Sequence, residues 1–406
     1  MKKFMKFKII SLCFLCLAFF LMTGCTGILQ LHERMVIQGI GIDLEESGYK
    51  VTIQALDFKN SAGENEPAIK VMELKGSSLI EALESAKKQS GLTPMYSQNL
   101  VVVVGKNLAV AGMNNFLDFF IRHYEARPNV KICVCDTEAA DILSIKKENG
   151  TIQAKEISDI IPNNLNSDIL HFVGRLKDET SDPYCAYLSV KKEDKEENKS
   201  EDKSENKTEN KSDNNNEDKK EKQRENSDKE DENSKKILNL AGIAFFSDDK
   251  MVGSSSGKEL LGLLATMGIN DLGVFNINSE KIGKVSLDLQ NVKSKINVNT
   301  KENKFYIDIT LGAEALEITP NEGVRIGEIE QQEIEKQLNS EIKEICKQAI
   351  KNALNLNSDL FRFKKVILNY NPGYFKENQK KLKKSLSQYE IEINVKSSLS
   401  ITGTEI

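Results

Sequence analysis

The sequence has few of the residues that build catalytic and metal sites. Only three histidines, His32, His123 and His171, occur in 406 residues, and none stands at a metal-ligand spacing such as H-E-x-x-H. A P-loop is also absent. We therefore expect no cofactor and no metal, and we expect a binding or scaffolding protein in preference to an enzyme.

Cysteine is also sparse, with seven residues in the chain. Cys133 and Cys135 point to one face of a predicted strand, but no second Cys or His pair complements them, so core packing is favoured over a metal site. Cys346 lies among apolar residues of a predicted helix and is expected to be buried. No spacing of the cysteines demands a disulfide.

An excess of positive charge is missing as well, because the chain has 56 basic and 61 acidic residues and a net charge of -5. Four lysines and no acid fall in residues 1–24, so the remainder is more acidic still. Such a surface repels phosphate backbones, and nucleic-acid binding is not expected.

The N-terminus has the composition of an export signal. A basic segment, Lys2–Lys8, precedes an apolar run, Ile9–Met22, that is shorter than the roughly 20 residues a membrane-spanning helix needs. We predict a signal peptide over residues 1–24.

Leu21-Met22-Thr23-Gly24-Cys25 resembles the lipobox of bacterial lipoproteins. The resemblance implies cleavage between Gly24 and Cys25, giving an N-palmitoyl, S-diacylglycerol cysteine that anchors the protein to the outer face of a cytoplasmic membrane. The alternative is an uncleaved signal anchor in which Cys25 has no role.

Residues 191–236 contain no apolar side chain, and their acids and bases are interspersed. Such a segment buries nothing that offsets the entropy of ordering, so we predict a disordered charged linker. It divides the mature chain into an N-terminal part, 25–190, which could hold two subdomains, and a C-terminal part, 237–406.

The N-terminal part is predicted to be α/β, in the order β-β-α-β-α-β. Residues 35–43 and 49–55 predict a hairpin. The Gly39-x-Gly41 pair within it is not a dinucleotide fingerprint, because a turn and a second strand follow it. Ser78 and Glu81 form a capping box that begins a helix with Leu79, Ala82, Leu83 and Ala86 inward. Further predicted elements are a strand at 100–104, a helix at 114–127 and a strand at 129–136.

The C-terminal part is predicted to be α+β. Residues 240–253 predict a hairpin, and 260–267 predict a helix. Apolar residues then alternate over 285–311 and 391–401, which predicts an antiparallel sheet with one buried face. A long helix over 327–356, with an apolar stripe that includes Ile334, Leu338 and Ile342, is expected to cover that sheet.

Four segments resemble the Ger(x)C family of spore germination lipoproteins, the C subunits of nutrient germinant receptors. They are Gly24-Cys25 with 36–43, the block 76–143, the block 240–264, and the long helix ending in 357–363. The sequence departs from the family where Thr26–Gln30 replaces a Trp-Asp-acidic stretch, and in the length of the insert at 191–236.

The resemblance implies a multidomain lipoprotein ectodomain on the outer face of the spore inner membrane. It also implies two integral-membrane partners, the A and B subunits of the receptor, and a role in nutrient-triggered germination. One alternative is an extracytoplasmic solute-binding lipoprotein, which requires two similar doubly wound lobes. The other is a lipid-anchored hydrolase, which the missing metal-ligand spacings disfavour.

Overall fold

The structure is a computed structural model, and it describes residues 30–61, 67–145, 152–192, 236–270, 272–322 and 326–401. Within these ranges thirteen strands form two sheets. The strands are β1 (Arg34–Glu45), β2 (Gly48–Ser61), β3 (Pro67–Gly76), β4 (Thr93–Met95), β5 (Val101–Gly105), β6 (Lys131–Cys135), β7 (Tyr184–Lys192), β8 (Lys236–Ser247), β9 (Lys250–Ser256), β10 (Gly273–Ser279), β11 (Gly283–Asn299), β12 (Lys304–Pro320) and β13 (Glu390–Ser400).

Ten α-helices pack on these sheets in the same part of the chain. They are α1 (Leu79–Ser90), α2 (Lys106–Ala111), α3 (Asn114–Arg122), α4 (Ala139–Leu143), α5 (Gln153–Ile160), α6 (Ile169–Leu176), α7 (Gly257–Met267), α8 (Glu328–Asn355), α9 (Phe363–Tyr370) and α10 (Pro372–Ser385).

The larger sheet has the strand order β3-β2-β1-β5-β6-β7-β8-β9, with β4 beside the start of β1. Its centre is parallel, because β1, β5, β6 and β7 all run in one direction. Antiparallel strands lie on both sides of that centre, β2 and β3 on one side and β8 and β9 on the other. The predicted mixed α/β architecture of the N-terminal part is confirmed.

The larger sheet continues across the predicted linker at 191–236. Strand β7 pairs with β8 from Tyr184 opposite Phe245 to Lys192 opposite Lys236. The hairpin predicted to open the C-terminal part does form, as β8 and β9, but it completes the sheet of the N-terminal part. The physical reason is that β8 is apolar on both faces, with Ile243 and Phe245 in one core cluster and Ala244 and Phe246 in the other, as expected of an internal strand.

The smaller sheet has the order β10-β11-β12-β13. Strands β10, β11 and β12 are antiparallel, as predicted for β11 and β12, but β13 runs parallel to β12. The difference arises because the connection from β12 to β13 contains α8, α9 and α10, and a crossover of that length returns the chain in the same direction. At the free edge of β13, the N–H groups of Ser397 and Leu399 donate to Asn339 and Glu335 of α8, at 2.8 and 2.7 Å.

Two apolar clusters cover the two faces of the larger sheet. Helices α1, α2, α3 and α6 pack on one face. Helices α4, α5 and α7 pack on the other, and that cluster continues without interruption to the smaller sheet and α8. One core therefore joins the two sheets, whereas a solute-binding architecture requires two similar lobes.

The predicted helices form largely where the sequence places them. Ser78 caps α1 by accepting from the N–H of Glu81, and all four predicted inward residues are buried. Helix α8 spans Glu328–Asn355 and buries the predicted stripe against the smaller sheet and α7. The unpredicted strands are β3, β4, β7 and β10, and the unpredicted helices are α2, α4, α5, α6, α9 and α10. Helix α3 ends at Arg122 instead of residue 127.

Candidate functional site

The predicted lipidation site, Cys25, lies outside the described residues, as do the signal peptide and most of the charged linker. The cleavage between Gly24 and Cys25 and the lipid anchor therefore stay predictions. Among the described helices, none has an apolar stretch long enough to cross a membrane.

The structure keeps the three histidines apart. His32 is exposed in a short 3₁₀ turn before β1. His123 follows the end of α3 and packs against the rings of Tyr96, Phe119 and Tyr124. His171 lies in α6, and its Nδ1 is 2.8 Å from Asp168 Oδ2. His123 is half-buried, and its contacts are those of a packing residue.

The four described cysteines are free and buried. Cys133 and Cys135 line one core cluster, as the period-2 pattern predicts, and Cys346 lies in the same cluster on α8. Cys185 lies in β7 on the opposite side of the sheet. Burial raises the pKa of each of these thiols, which lowers their reactivity. In the described part of the chain, no three His, Cys, Asp or Glu side chains form a group able to hold a metal ion.

The Gly39-x-Gly41 pair serves helix packing. A Cβ added at Gly39 would lie 2.7 Å from the Cβ of Ala154 in α5, and one at Gly41 would lie 3.0 Å from the Cβ of Ala139 in α4. Real Cβ atoms do not approach as closely as 2.7 Å, so α5 needs glycine at position 39, and a Cβ at position 41 would require α4 to shift slightly. Two residues further on, Asp43 accepts hydrogen bonds from the first N–H groups of α4.

A cluster of charged side chains, three of them buried, joins the N-terminal part to the C-terminal helices. We call it the charged junction and define it by Asp182, Asp248, Asp359, Lys364 and Lys383. Asp182 is 2% exposed and lies in the loop before β7. Its Oδ1 accepts from the N–H of Asp248 at 3.0 Å, and its Oδ2 accepts from the N–H of Asp359 at 2.9 Å. One carboxylate thus fixes the β8–β9 turn and the loop after α8.

Asp359 is the second buried carboxylate of the charged junction. Its two oxygens accept from the N–H groups of Phe363 and Lys364, at 2.8 and 2.9 Å, which satisfies backbone donors at the start of α9. Its own carbonyl accepts from the N–H of Asp182 at 3.0 Å. Burial raises the pKa of Asp359 to about 6, although these hydrogen bonds oppose the increase.

Two lysines balance the carboxylates. Lys383 of α10 donates to Asp182 at 3.1 Å and to Asp248 at 2.8 Å. Lys364 of α9 is buried, and its Nζ lies 3.7 Å from Asp182 Oδ2. Burial by itself lowers the pKa of Lys383, but the hydrogen bonds to Asp248 and Asp182 outweigh it, and the pKa is raised. Lys383 therefore stays a cation at neutral pH.

Neighbouring residues extend the charged junction along the same loop. Arg175 of α6 donates to the carbonyl of Leu360 at 3.0 Å and lies over the ring of Tyr184. Arg362 is 3.8 Å from Asp178, and Gln379 donates to Glu179. These contacts join residues 175–184 to residues 359–383. Their role is to hold the two segments in place.

Sequence reasoning did not identify the charged junction, because its members lie in three distant segments. Only Asp359 carried a usable signal, since an acidic residue shortly before an apolar helix is a capping pattern. The buried position of Lys364 and the half-buried position of Lys383 depend on the tertiary contact with Asp182.

A cleft of about 410 Å³ lies where the loop 162–165 approaches β8 and α7. Its lining is mainly apolar, from Leu240, Ile243, Leu260, Leu264 and Ile269, with Asn163, Asn164 and Asn270 as polar groups. The volume falls within the range of small-molecule sites. Among the described residues, the lining contains no charged side chain.

Two family models match the chain. One, described as the spore germination protein N-terminal domain, matches residues 28–190. The other, described as spore germination B3/GerAC like, C-terminal, matches residues 241–403. No curated protein sequence matches significantly.

Among solved structures, the chain is similar to one titled the crystal structure of the GerBC protein, with 15% sequence identity and a TM-score of 0.48. The match covers 92% of this chain and 99% of that one. The two family models lie on either side of the charged segment in the predicted order, and together they account for most of the chain. The chain therefore belongs to the Ger(x)C family of spore germination proteins.

Proposed function

We propose that this chain is a non-catalytic, lipid-anchored subunit of a spore nutrient germinant receptor, acting with integral-membrane partner subunits. Membership of the Ger(x)C family is the observation that carries the proposal, because the family models match both the N-terminal and the C-terminal part. Germination is then triggered by nutrients through the complex, and this subunit transmits or stabilises the response.

The arrangement of buried polar groups supports a non-catalytic role. In the charged junction, each carboxylate oxygen of Asp182 and Asp359 accepts a backbone N–H, and Lys383 is bound to two carboxylates. A catalytic acid or nucleophile needs a face open to a substrate, whereas these groups are directed at the protein itself. Their arrangement suits a rigid body that presents surfaces to partners.

The lipid anchor rests on Gly24-Cys25 and on the apolar run before it. Two acyl chains hold a protein stably where one chain binds only marginally, and the proposed modification supplies at least two. The protein would then lie on the outer face of the spore inner membrane.

Replacing the proposed lipid-bearing residue tests the anchor. Cys25→Ala should move the protein from the membrane pellet to the soluble fraction, or leave an unprocessed precursor, because no thiol accepts the diacylglycerol. Cys16→Ala, within the apolar run, is the matched control and should leave the mature protein in the membrane. Processing and membrane retention unchanged by Cys25→Ala would contradict the anchor.

Loss of the gene tests the receptor role. In a strain without redundant receptors, this loss should slow nutrient-triggered germination, and unchanged germination with every nutrient would count against the role.

A further inference from the structure

The segment 360–388, which contains α9 and α10, is strongly basic in an acidic protein. It holds eight Lys or Arg residues and one acid, Glu377, although acids outnumber bases over the whole chain. Three of the basic residues are used within the fold: Lys364 and Lys383 in the charged junction, and Arg362 beside Asp178. The other five basic residues contribute positive charge to the surface of this region.

Four of those lysines lie on the outward side of α10. Phe375 and Leu382 are buried and define the inward side of the helix. At 100° per residue, Lys376, Lys380, Lys381 and Lys384 point away from that side, and all four are exposed. We call these four lysines the α10 lysine face. The exposed Glu377 lies on the same side of the helix.

The register of the larger sheet places α10 at a defined edge. Gly39 of β1 lies level with Val101 of β5, and the parallel pairing continues through β6 to β7. The start of β1, the loop before β7 and the β8–β9 turn therefore lie at the same edge of this sheet. Lys383 binds Asp182 in that loop and Asp248 in that turn, which attaches α10 to this edge.

The same edge lies close to the proposed lipid. Strand β1 begins at Arg34, and the described chain begins at Gln30, five residues after Cys25. At no more than about 3.5 Å per residue, those five residues span less than about 20 Å. A lipid on Cys25 thus keeps this edge near the headgroups, where lysines are attracted to anionic lipids.

We propose that the α10 lysine face binds the anionic phospholipid surface of the membrane and holds the ectodomain against it in one orientation. The inference rests on the proposed lipid-anchored function for the orientation of the molecule. An exposed tyrosine at the end of α9, Tyr370, lies just before α10 and adds an amphipathic ring of the kind found at membrane interfaces. The bound chemistry is the phosphate headgroup of lipids such as phosphatidylglycerol.

A fluorescent label on the α10 lysine face tests the contact. Glu377→Cys introduces an exposed thiol, whereas the described native cysteines are all buried. The full chain is reconstituted with vesicles of phosphatidylcholine, with or without phosphatidylglycerol, that carry a headgroup quencher. We expect the label at position 377 to be quenched by the anionic vesicles, and this quenching should fall at high salt. After the four lysines are changed to Gln, the affinity for anionic vesicles measured by this quenching should be at least tenfold weaker.

Two matched controls accompany the measurement. A label at Lys284→Cys, at the opposite end of the smaller sheet, should stay unquenched. Changing Lys284, Lys293, Lys295 and Lys396 to Gln removes the same charge from exposed positions of β11 and β13 and should leave quenching at position 377 unchanged.

The outcomes separate this inference from the proposed function. Flotation of the chain with neutral vesicles measures the lipid anchor. The increase in quenching from neutral to anionic vesicles measures the lysine face, whether or not a lipid anchors the chain. Equal quenching in both vesicles, or quenching unaffected by the four changes, would overturn the inference. An acidic protein partner as occupant would leave the label unquenched in both vesicles and shielded only in native membranes, which would overturn it too.

Discussion

Removing the Asp182 carboxylate should weaken the whole molecule, because it connects three segments of the chain. Asp182→Ala leaves the N–H groups of Asp248 and Asp359 without their acceptor, and each buried orphan costs about 1–3 kcal/mol. It also leaves the buried ammonium of Lys364 without its nearby carboxylate, and breaking a buried pair costs about 3–5 kcal/mol. Because these contributions overlap, we expect a loss of about 3–5 kcal/mol in the free energy of unfolding.

Urea unfolding of the chain without its first 25 residues measures this loss as a lower midpoint with an unchanged slope. Asp118→Ala is the matched control, since that carboxylate pairs with Arg122 on the exposed side of α3 and should cost about 0.5 kcal/mol. Asp182→Asn keeps one acceptor oxygen and should lie between the two. If Asp182→Ala costs no more than Asp118→Ala, the charged junction does not hold the two parts together.

Two further predictions concern Asp359 and Gly39. The pKa of Asp359 is raised to about 6 by burial, so its contribution to stability is present at low pH and is lost as pH rises through about 6. From pH 7 to pH 5, the unfolding free energy of the wild type should therefore rise by about 1 kcal/mol relative to Asp359→Asn, and parallel pH profiles would refute this. Gly39→Ala should cost about 1–3 kcal/mol, because the new Cβ would lie 2.7 Å from the Cβ of Ala154. Gly174→Ala, where a Cβ meets nothing within 4 Å, is the control in urea unfolding, and equal midpoints for the two variants would contradict the packing argument.

Local elements with a clear signal were predictable from the sequence. Ser78 and the apolar spacing after it determine where α1 begins and which side is buried, and both are local properties. The stripe of α8 repeats over about six turns, so its length and buried side were also predictable.

Two of the unpredicted elements, α2 and β3, lack such a signal. Helix α2 spans only six residues, too few to establish a helical period. Strand β3 places Ile69 and Val71 on one face, where they are 37% and 40% exposed, and Leu74 on the buried face, so its apolar residues do not mark one side. Alternation also does not encode direction, which is why the parallel pairing of β13 required knowledge of the crossover.

Most of the candidate site depends on tertiary contacts. Asp182 and Lys383 are separated by most of the C-terminal part, and nothing in either local sequence specifies the other. The proposed lipidation site is the opposite case, because a peptidase and a lipid transferase read a short linear motif. Cys25 could therefore be predicted from the sequence, whereas the charged junction could be found only in the fold.

The pairing of β7 with β8 across residues 193–235 has a consequence for how the chain can be divided. A protein cut within that segment would keep its two fragments together through the strand ladder and the shared core. A fragment ending at Lys192 and made alone would present the whole edge of β7, unpaired and prone to pair with other copies. The two halves matched by the family models are thus complementary fragments, and each is completed by the other's strand.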